Sequence, residues 1–122
     1  MAFEYDLGTN KITCPRNNNG TLEVNVTGMT FGAADVVAFY IRDTARAKKI
    51  REIVIHPDGN GMCRYTLNSR DTELIPPGRY KWNRRIVTAP MFDDEGNLTV
   101  AEDNANSITV FNRAPDFEVL EV

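Results

Sequence analysis

The chain has few of the residues that catalytic and metal-binding proteins depend on. It contains one histidine, His56, and two cysteines, Cys14 and Cys63, which are too far apart to form a CxxC pair. A zinc site needs several His and Cys ligands at short spacing, and a nucleophilic site needs a recognisable Ser or Cys motif with a nearby base. Neither pattern occurs. We therefore expect no catalytic residues, no metal and no cofactor, and we interpret His56 as a strand-end residue.

One acidic segment is dense enough in carboxylates to be weighed as a cation site. It contains Asp93, Asp94 and Glu95, followed by Glu102 and Asp103. Calcium is bound by such oxygen ligands, but the spacing does not follow the EF-hand loop. We favour a solvated loop.

Long apolar runs and a basic charge excess are also missing. No run approaches the ~20 apolar residues that span a bilayer. The N-terminus "MAFEYDLGTN" lacks the basic and apolar regions of a secretory signal, so we expect a reducing cytosol with both cysteines as small buried or half-buried thiols. The net charge is −3, whereas dedicated nucleic-acid binders are usually strongly basic. The expected partners therefore include neither nucleic acid nor a membrane.

Alternating apolar and polar residues dominate what is present. In "TLEVNVTG", Leu22, Val24 and Val26 alternate with Glu23 and Asn25, which is typical of a half-buried strand.

Other segments show the same tendency to form strands. The nearly continuous β-rich run at residues 36–41 predicts a central strand covered on both faces. Residues 44–50 read as a polar turn, with at most one turn of helix. With turn signals between about eight such segments, the sequence predicts an all-β protein, an antiparallel β-sandwich of about seven to nine strands in a single domain over residues 1–122.

The stretch "DTELIPPGRYKWNRRIV" combines basic and aromatic residues, which raises the possibility of a nucleic-acid strip. In the strand after "PPG", Tyr80, Trp82, Arg84 and Ile86 fall on one face. The other face carries Arg79, Lys81, Asn83, Arg85 and Val87. Rings and cations mostly separate, as in a sandwich strand with aromatics inside and cations outside. Arg84 is the exception, and we expect it near the strand end or paired with a carboxylate.

Two features near this strand give further expectations. The "PPG" sequence predicts a type II turn with a positive φ at Gly78. The Tyr80 hydroxyl is expected to bond back to the backbone at residues 71–74, in the manner of a tyrosine corner.

The C-terminal segment "DFEVLEV" is apolar on both faces. Phe117 and Val119 alternate with Leu120 and Val122. Such a strand either closes a sheet of its own chain or adds to the edge of a neighbour, which would make the protein a homo-oligomer. We name these four residues as possible interaction residues.

The order of these features resembles the immunoglobulin-like β-sandwich domains of bacteriophage tail and baseplate proteins, such as the N-terminal domain of the baseplate upper protein. The resemblance rests on "NNNGTLEVNVTG", "GAADVVAFYIRD", "DTELIPPGRYKWNRRIV", "DDEGN" and "NSITVF". It covers residues 10–111 and leaves 112–122 as a C-terminal strand extension. The most distinctive residues are Leu74, Gly78, Tyr80 and Trp82, which we expect in the structural core.

The resemblance implies a non-enzymatic virion structural protein. Its partners would be other virion proteins or copies of itself. It would be located in the virion, and in the bacterial host cytoplasm during assembly. The chain departs from true immunoglobulin domains because Trp82 follows both cysteines.

The alternative is a carbohydrate-binding module with exposed aromatics, such as Tyr40, Tyr65 or Trp82, stacking on sugar rings. A small enzyme ranks last because the sequence shows no converging catalytic groups.

Overall fold

The computed structural model describes residues 3–16, 20–26 and 29–121, and within them the chain is mostly β. The predicted all-β class is therefore confirmed. Residues 17–19, 27 and 28 of the stretch "NNNGTLEVNVTG", and Val122 among the possible interaction residues, lie outside the described residues. The elements in chain order are β1 Glu4–Tyr5, β2 Ile12–Pro15, β3 Leu22–Asn25, β4 Val36–Asp43, β5 Lys48–Ile55, β6 Arg64–Leu67, α1 Ser69–Thr72, β7 Gly78–Val87, β8 Ser107–Thr109 and β9 Asp116–Leu120.

These strands form a large and a small sheet. The large sheet has the order β1-β2-β9-β7-β4-β5, with β8 also pairing β7, and the small sheet pairs β3 with β6. The large sheet is not purely antiparallel as expected, because β2 runs parallel to β9, with Ile12 opposite Phe117. Buried residues of the two sheets meet in one apolar cluster, so the arrangement is sandwich-like.

The centre of the large sheet follows the apolar run of the sequence. Every residue from 36 to 41 is buried, and β4 lies between β5 and β7. The prediction of a central strand covered on both faces is confirmed. On the face toward β3 and β6, Phe39 of β4 packs against Trp82 of β7, with ring centroids 5.5 Å apart. Phe117 of β9 belongs to the same cluster and is fully buried.

The C-terminal segment is an interior strand rather than an appended one. Strand β9 pairs with β2 on one side and with β7 on the other. Both of its edges are therefore occupied within the chain, and it has no free edge to offer a neighbour. The division into a family-like core at 10–111 and a strand extension at 112–122 stays a prediction, and in the structure the extension supplies β9, an interior strand of the large sheet.

The one short helix among the described residues, α1, was missed by sequence reasoning. Residues 44–47 form a turn, and β5 already begins at Lys48, so the composition that resembled a helix belongs to a hairpin. The helix α1 is fixed by a capping box instead. The Asn68 side chain accepts the N–H of Arg70, and the Asp71 carboxylate accepts the N–H of Asn68.

Candidate functional site

An arginine-lined cleft lies at the end of the sandwich where β4 turns into β5. It has a volume of about 600 Å³ and extends to the segment between α1 and β7. Its lining includes three arginines, two carboxylates and several apolar side chains, among them Arg46, Arg51, Arg70, Asp43, Asp71, Leu74, Ile75 and Pro76. We call this the arginine cleft. Its size lies in the range of pockets that enclose ligands or several side chains.

Asp71 holds one wall of the arginine cleft in place. It is 8% exposed, and its Oδ1 accepts hydrogen bonds from Arg51 Nη2 at 3.2 Å and from the Tyr65 hydroxyl at 2.8 Å. Arg51 Nε also donates to the Asp71 carbonyl oxygen. Burial, and then the bond to Asp71, raise the pKa of Tyr65. The Arg51 guanidinium is thus occupied by its bonds to Asp71, which fix its position.

Two other arginines of the cleft are freer to meet a partner. The Arg46 side chain is 82% exposed, and its ion pair with Asp43 is 3.8 Å long. The Arg70 side chain is exposed and has no ion pair or hydrogen bond among the described residues. An ion pair as long and as exposed as that between Arg46 and Asp43 contributes little to stability. Both guanidinium groups can therefore contact an acidic partner at small cost.

Leu74 projects from the rim of the cleft. Its side chain is 91% exposed, so the expectation that Leu74 belongs to the core is wrong. The reason is local, because the turn after α1 directs Ile75 inward, and Ile75 is 6% exposed. An isoleucine next in the chain takes the core position that we had assigned to Leu74.

The other residues of this segment differ from one another in burial. Tyr80 is 8% and Trp82 3% exposed. The Tyr80 hydroxyl donates to the Pro76 carbonyl oxygen at 2.6 Å, which lies outside the expected acceptors at 71–74. Gly78 is exposed rather than in the core, and its φ is 153°. A type II turn requires a φ of about +80° at this position, so Gly78 begins β7 without forming the predicted type II turn.

The opposite end of the sandwich carries an acidic tip, which we define as residues 91–97 of the β7–β8 connection. Met91 is 67% and Phe92 41% exposed. Asp93 Oδ1 accepts the N–H groups of Glu95 and Asn97, each at 2.9 Å, and the bond from Asn97 is the main reason that the pKa of Asp93 is lowered. The Asp93 carboxylate is occupied by these hydrogen bonds within the turn, and the bonds fix the shape of the tip.

The connection between β7 and β8 covers a buried charge on the outer face of the large sheet. Arg85 is 1% exposed. It donates to the Val100 carbonyl oxygen at 2.6 Å and to Glu52 Oε2 at 3.4 Å, while Lys49 holds the same Glu52 oxygen at 2.8 Å. The prediction that this face carries outward cations is therefore wrong for Arg85. The alternation of residues along β7 predicted the face on which Arg85 lies, but it did not predict that the β7–β8 connection folds over that face.

Arg84, one residue earlier, lies on the inner face as expected but has no carboxylate partner in the part of the chain that the structure describes. Its guanidinium carbon lies 5.6 Å from the Trp82 ring centroid and 5.1 Å from that of Phe111. Arg84 also donates to the Asn25 carbonyl oxygen. Burial lowers its pKa. Aromatic rings replace the expected carboxylate as the stabilising neighbours.

The proposed interaction residues of the C-terminal strand are placed inside. Phe117 is 0% and Val119 3% exposed, and Leu120 is half-buried opposite Pro15. An edge-strand contact through these three residues is contradicted by the pairing of β9 on both sides. The segment closes its own sheet, which was one of the two predicted roles.

The aromatics proposed for sugar stacking do not form an exposed row. Tyr40 is 7% and Trp82 3% exposed. Tyr65 is half-buried and bonded to Asp71.

Across residues 3–16, 20–26 and 29–121, no group of three or more His, Cys, Asp or Glu side chains is arranged to hold a metal ion. Within the same residues, no helix has the length and apolar character to cross a membrane.

Comparison with protein-family models, with curated proteins and with solved structures finds no match for this chain.

Proposed function

We propose that the chain is a non-enzymatic structural module of a phage or prophage particle, of tail or baseplate type, that acts through protein–protein contacts. The observation that carries the proposal is the exposure of apolar side chains beside charged ones at both ends of a closed sandwich. Leu74 stands at the arginine cleft, and Met91 and Phe92 stand at the acidic tip. Apolar groups rimmed by polar residues are typical of protein interaction sites.

The topology supports an immunoglobulin-like assignment for this module. The small sheet pairs β3 with β6, and the large sheet places β9, β7 and β4 side by side. The hydroxyl of Tyr80, at the start of β7, bonds back to the Pro76 carbonyl oxygen, which is the geometry of a tyrosine corner. The small sheet departs from the family pattern of about four strands, since it has two among the described residues.

Protein content of purified particles tests this function directly. Particles released from the organism that encodes the chain would be purified on a density gradient and analysed by mass spectrometry. We expect peptides of this chain to copurify with tail or baseplate proteins at a constant ratio. Genes for tail or capsid proteins on either side of its own gene would agree with this. Absence of the chain from intact particles would contradict the proposal.

A further inference from the structure

We propose that the acidic tip of one copy docks into the arginine cleft of a second copy, so that the chain associates head to tail. The inference rests on the proposed function and names the partner of its contact surfaces. It starts from their charges. Among the described residues, Arg70 at the cleft and Asp94 and Glu95 at the tip form no ion pair. Arg46 at the cleft forms only the weak contact with Asp43.

The apolar parts of the two surfaces match as well. Leu74 at the cleft rim is 91% exposed, and Met91 at the tip is 67% exposed. A cleft of about 600 Å³ has room for apolar side chains from a partner. A contact with an apolar centre and a charged rim is the usual organisation of a protein interface.

The same chain cannot satisfy its own cleft. Strand β4 runs from Val36, near the tip, to Asp43, beside the cleft. Val36 packs in one cluster with Val100, and the His56 ring lies 6.0 Å from that of Phe92, which places the tip at the Val36 end. At ~3.3 Å per residue, the two ends are roughly 25 Å apart. The tip can therefore reach only the cleft of another copy.

Both surfaces are fixed before they meet. The tip is closed by backbone bonds from Asp93 N to Asn97 O at 2.9 Å and from Thr99 N to Met91 O at 2.8 Å. The cleft wall is fixed by the bonds between Arg51 and Asp71. Preorganised surfaces lose less conformational entropy on binding. Because the two patches differ, the contact is heterologous and produces a ring or an open filament.

Charge reversal tests the contact without disturbing the core. A cleft variant would combine Arg46→Glu with Arg70→Glu, and a tip variant would combine Asp94→Lys with Glu95→Lys. Each would be studied by sedimentation velocity over a concentration series. We expect the wild-type chain to associate, and each variant alone to have a dissociation constant raised tenfold or more.

A mixture of the cleft variant and the tip variant is the decisive measurement. The acidic cleft of one then faces the basic tip of the other, so we expect association to recover in the mixture. A control with Arg113→Glu and Asp103→Lys changes exposed charges outside both surfaces and should associate like the wild type. Leu74→Ser should weaken association while leaving the melting temperature unchanged.

The outcomes separate this proposal from the function on which it rests. A wild-type chain that stays monomeric at the highest soluble concentration overturns the head-to-tail contact, as do reversed variants that associate normally or a mixture that fails to recover. If such a chain is still found in particles, the virion function stands and the cleft binds another protein. If the chain associates as described but is absent from particles, the virion function fails and the contact remains.

Discussion

The two faces of the large sheet are stabilised in different ways, as the consecutive residues Arg84 and Arg85 show. On the inner face, Arg84 lies over the rings of Trp82 and Phe111, at the border of an apolar cluster. On the outer face, Arg85 is buried beneath the β7–β8 connection and paired with Glu52. The inner face is held by apolar packing between sheets. The outer face combines a small apolar cluster, which includes Val36 and Val100, with the buried Arg85–Glu52 pair beneath the β7–β8 connection.

This difference shows what a strand pattern can and cannot indicate. Apolar packing is shared by many residues, so the loss of one ring leaves a cavity but no uncompensated charge. A buried ion pair depends on both partners, and the loss of one leaves a charge without compensation. Substitutions on the two faces should therefore differ in their effect on the free energy of unfolding.

Replacing Trp82 tests the inner face. The ring packs against Phe39, and Nε1 donates to the Asn10 carbonyl oxygen at 2.9 Å. Trp82→Ala should lower the free energy of unfolding by about 3–5 kcal/mol, as expected for a large buried aromatic. Urea denaturation measures this. The control Leu74→Ala should change it by less than about 0.5 kcal/mol because that side chain is exposed. Equal effects of the two substitutions would refute the packing described for this face.

Replacing Arg85 tests the outer face. Arg85→Ala removes the donor to Val100 and one of the two cations at Glu52. We expect a loss of about 3 kcal/mol, at the low end for a broken buried pair, because Lys49 still compensates Glu52. Arg113→Ala is the matched exposed control and should be neutral in the same urea denaturation. A neutral Arg85→Ala would mean that the connection does not cover this face in solution.

Arg84→Met should behave differently from the change at its neighbour. The substitution loses cation–π contacts worth about 1 kcal/mol, but it also removes a desolvated charge that has no carboxylate partner among the described residues. We expect the free energy of unfolding to change by less than about 1 kcal/mol in either direction. Chemical denaturation of Arg84→Met and Arg85→Met side by side measures the contrast. The account fails at this point if Arg84→Met is the more damaging of the two.

The smallest predicted effect concerns pH on the outer face. Burial acts to raise the pKa of Glu102, but the bond from Arg42 and the nearby positive charges outweigh it, so the pKa lies below its ordinary value. A lowered folded-state pKa stabilises the protein above the unfolded pKa, and this contribution is lost as the pH falls through the folded value. Stability should therefore decrease below about pH 4.5. In Glu102→Gln that decrease should be shallower by less than about 1 kcal/mol, since the pair is partly exposed.

Urea denaturation at a series of pH values measures this slope. Other carboxylates with lowered pKa values, such as Asp116 and Glu118, remain in the variant and supply the common background. If the stability of Glu102→Gln decreases with pH as steeply as that of the wild type, the Arg42–Glu102 pair does not stabilise the contact between the β7–β8 connection and the large sheet.

The strand pattern was sufficient to predict the inner face. The alternation of Tyr80 and Trp82 with Arg79 and Lys81 follows from the pleat of a strand and needs no information on the partner. Phe117 was instead named as a possible interaction residue, because its segment is apolar on both faces. The continuous apolar run in β4 likewise indicated a central strand. The all-β class could be predicted because these signals are local and occur along most of the chain.

Features that depend on distant segments could not be predicted. Nothing local shows that residues 88–106 fold back over Arg85, or that β9 inserts in parallel beside β2. The capping box of Asn68 and Asp71 was visible as Asn followed three residues later by Asp, although the usual signature has Glu or Gln. The arginine cleft joins residues from two loops, so its side chains converge only after folding.

Covalent trapping of the tip and cleft tests the central claim, that opposite ends of the sandwich meet between copies. A double variant, Leu74→Cys with Met91→Cys, would be treated with a short bismaleimide linker, while Cys14 and Cys63 are buried and protected. The account predicts a ladder of linked multimers on a denaturing gel from the double variant and almost none from either single variant. A double variant that links no better than the single variants would contradict the claim.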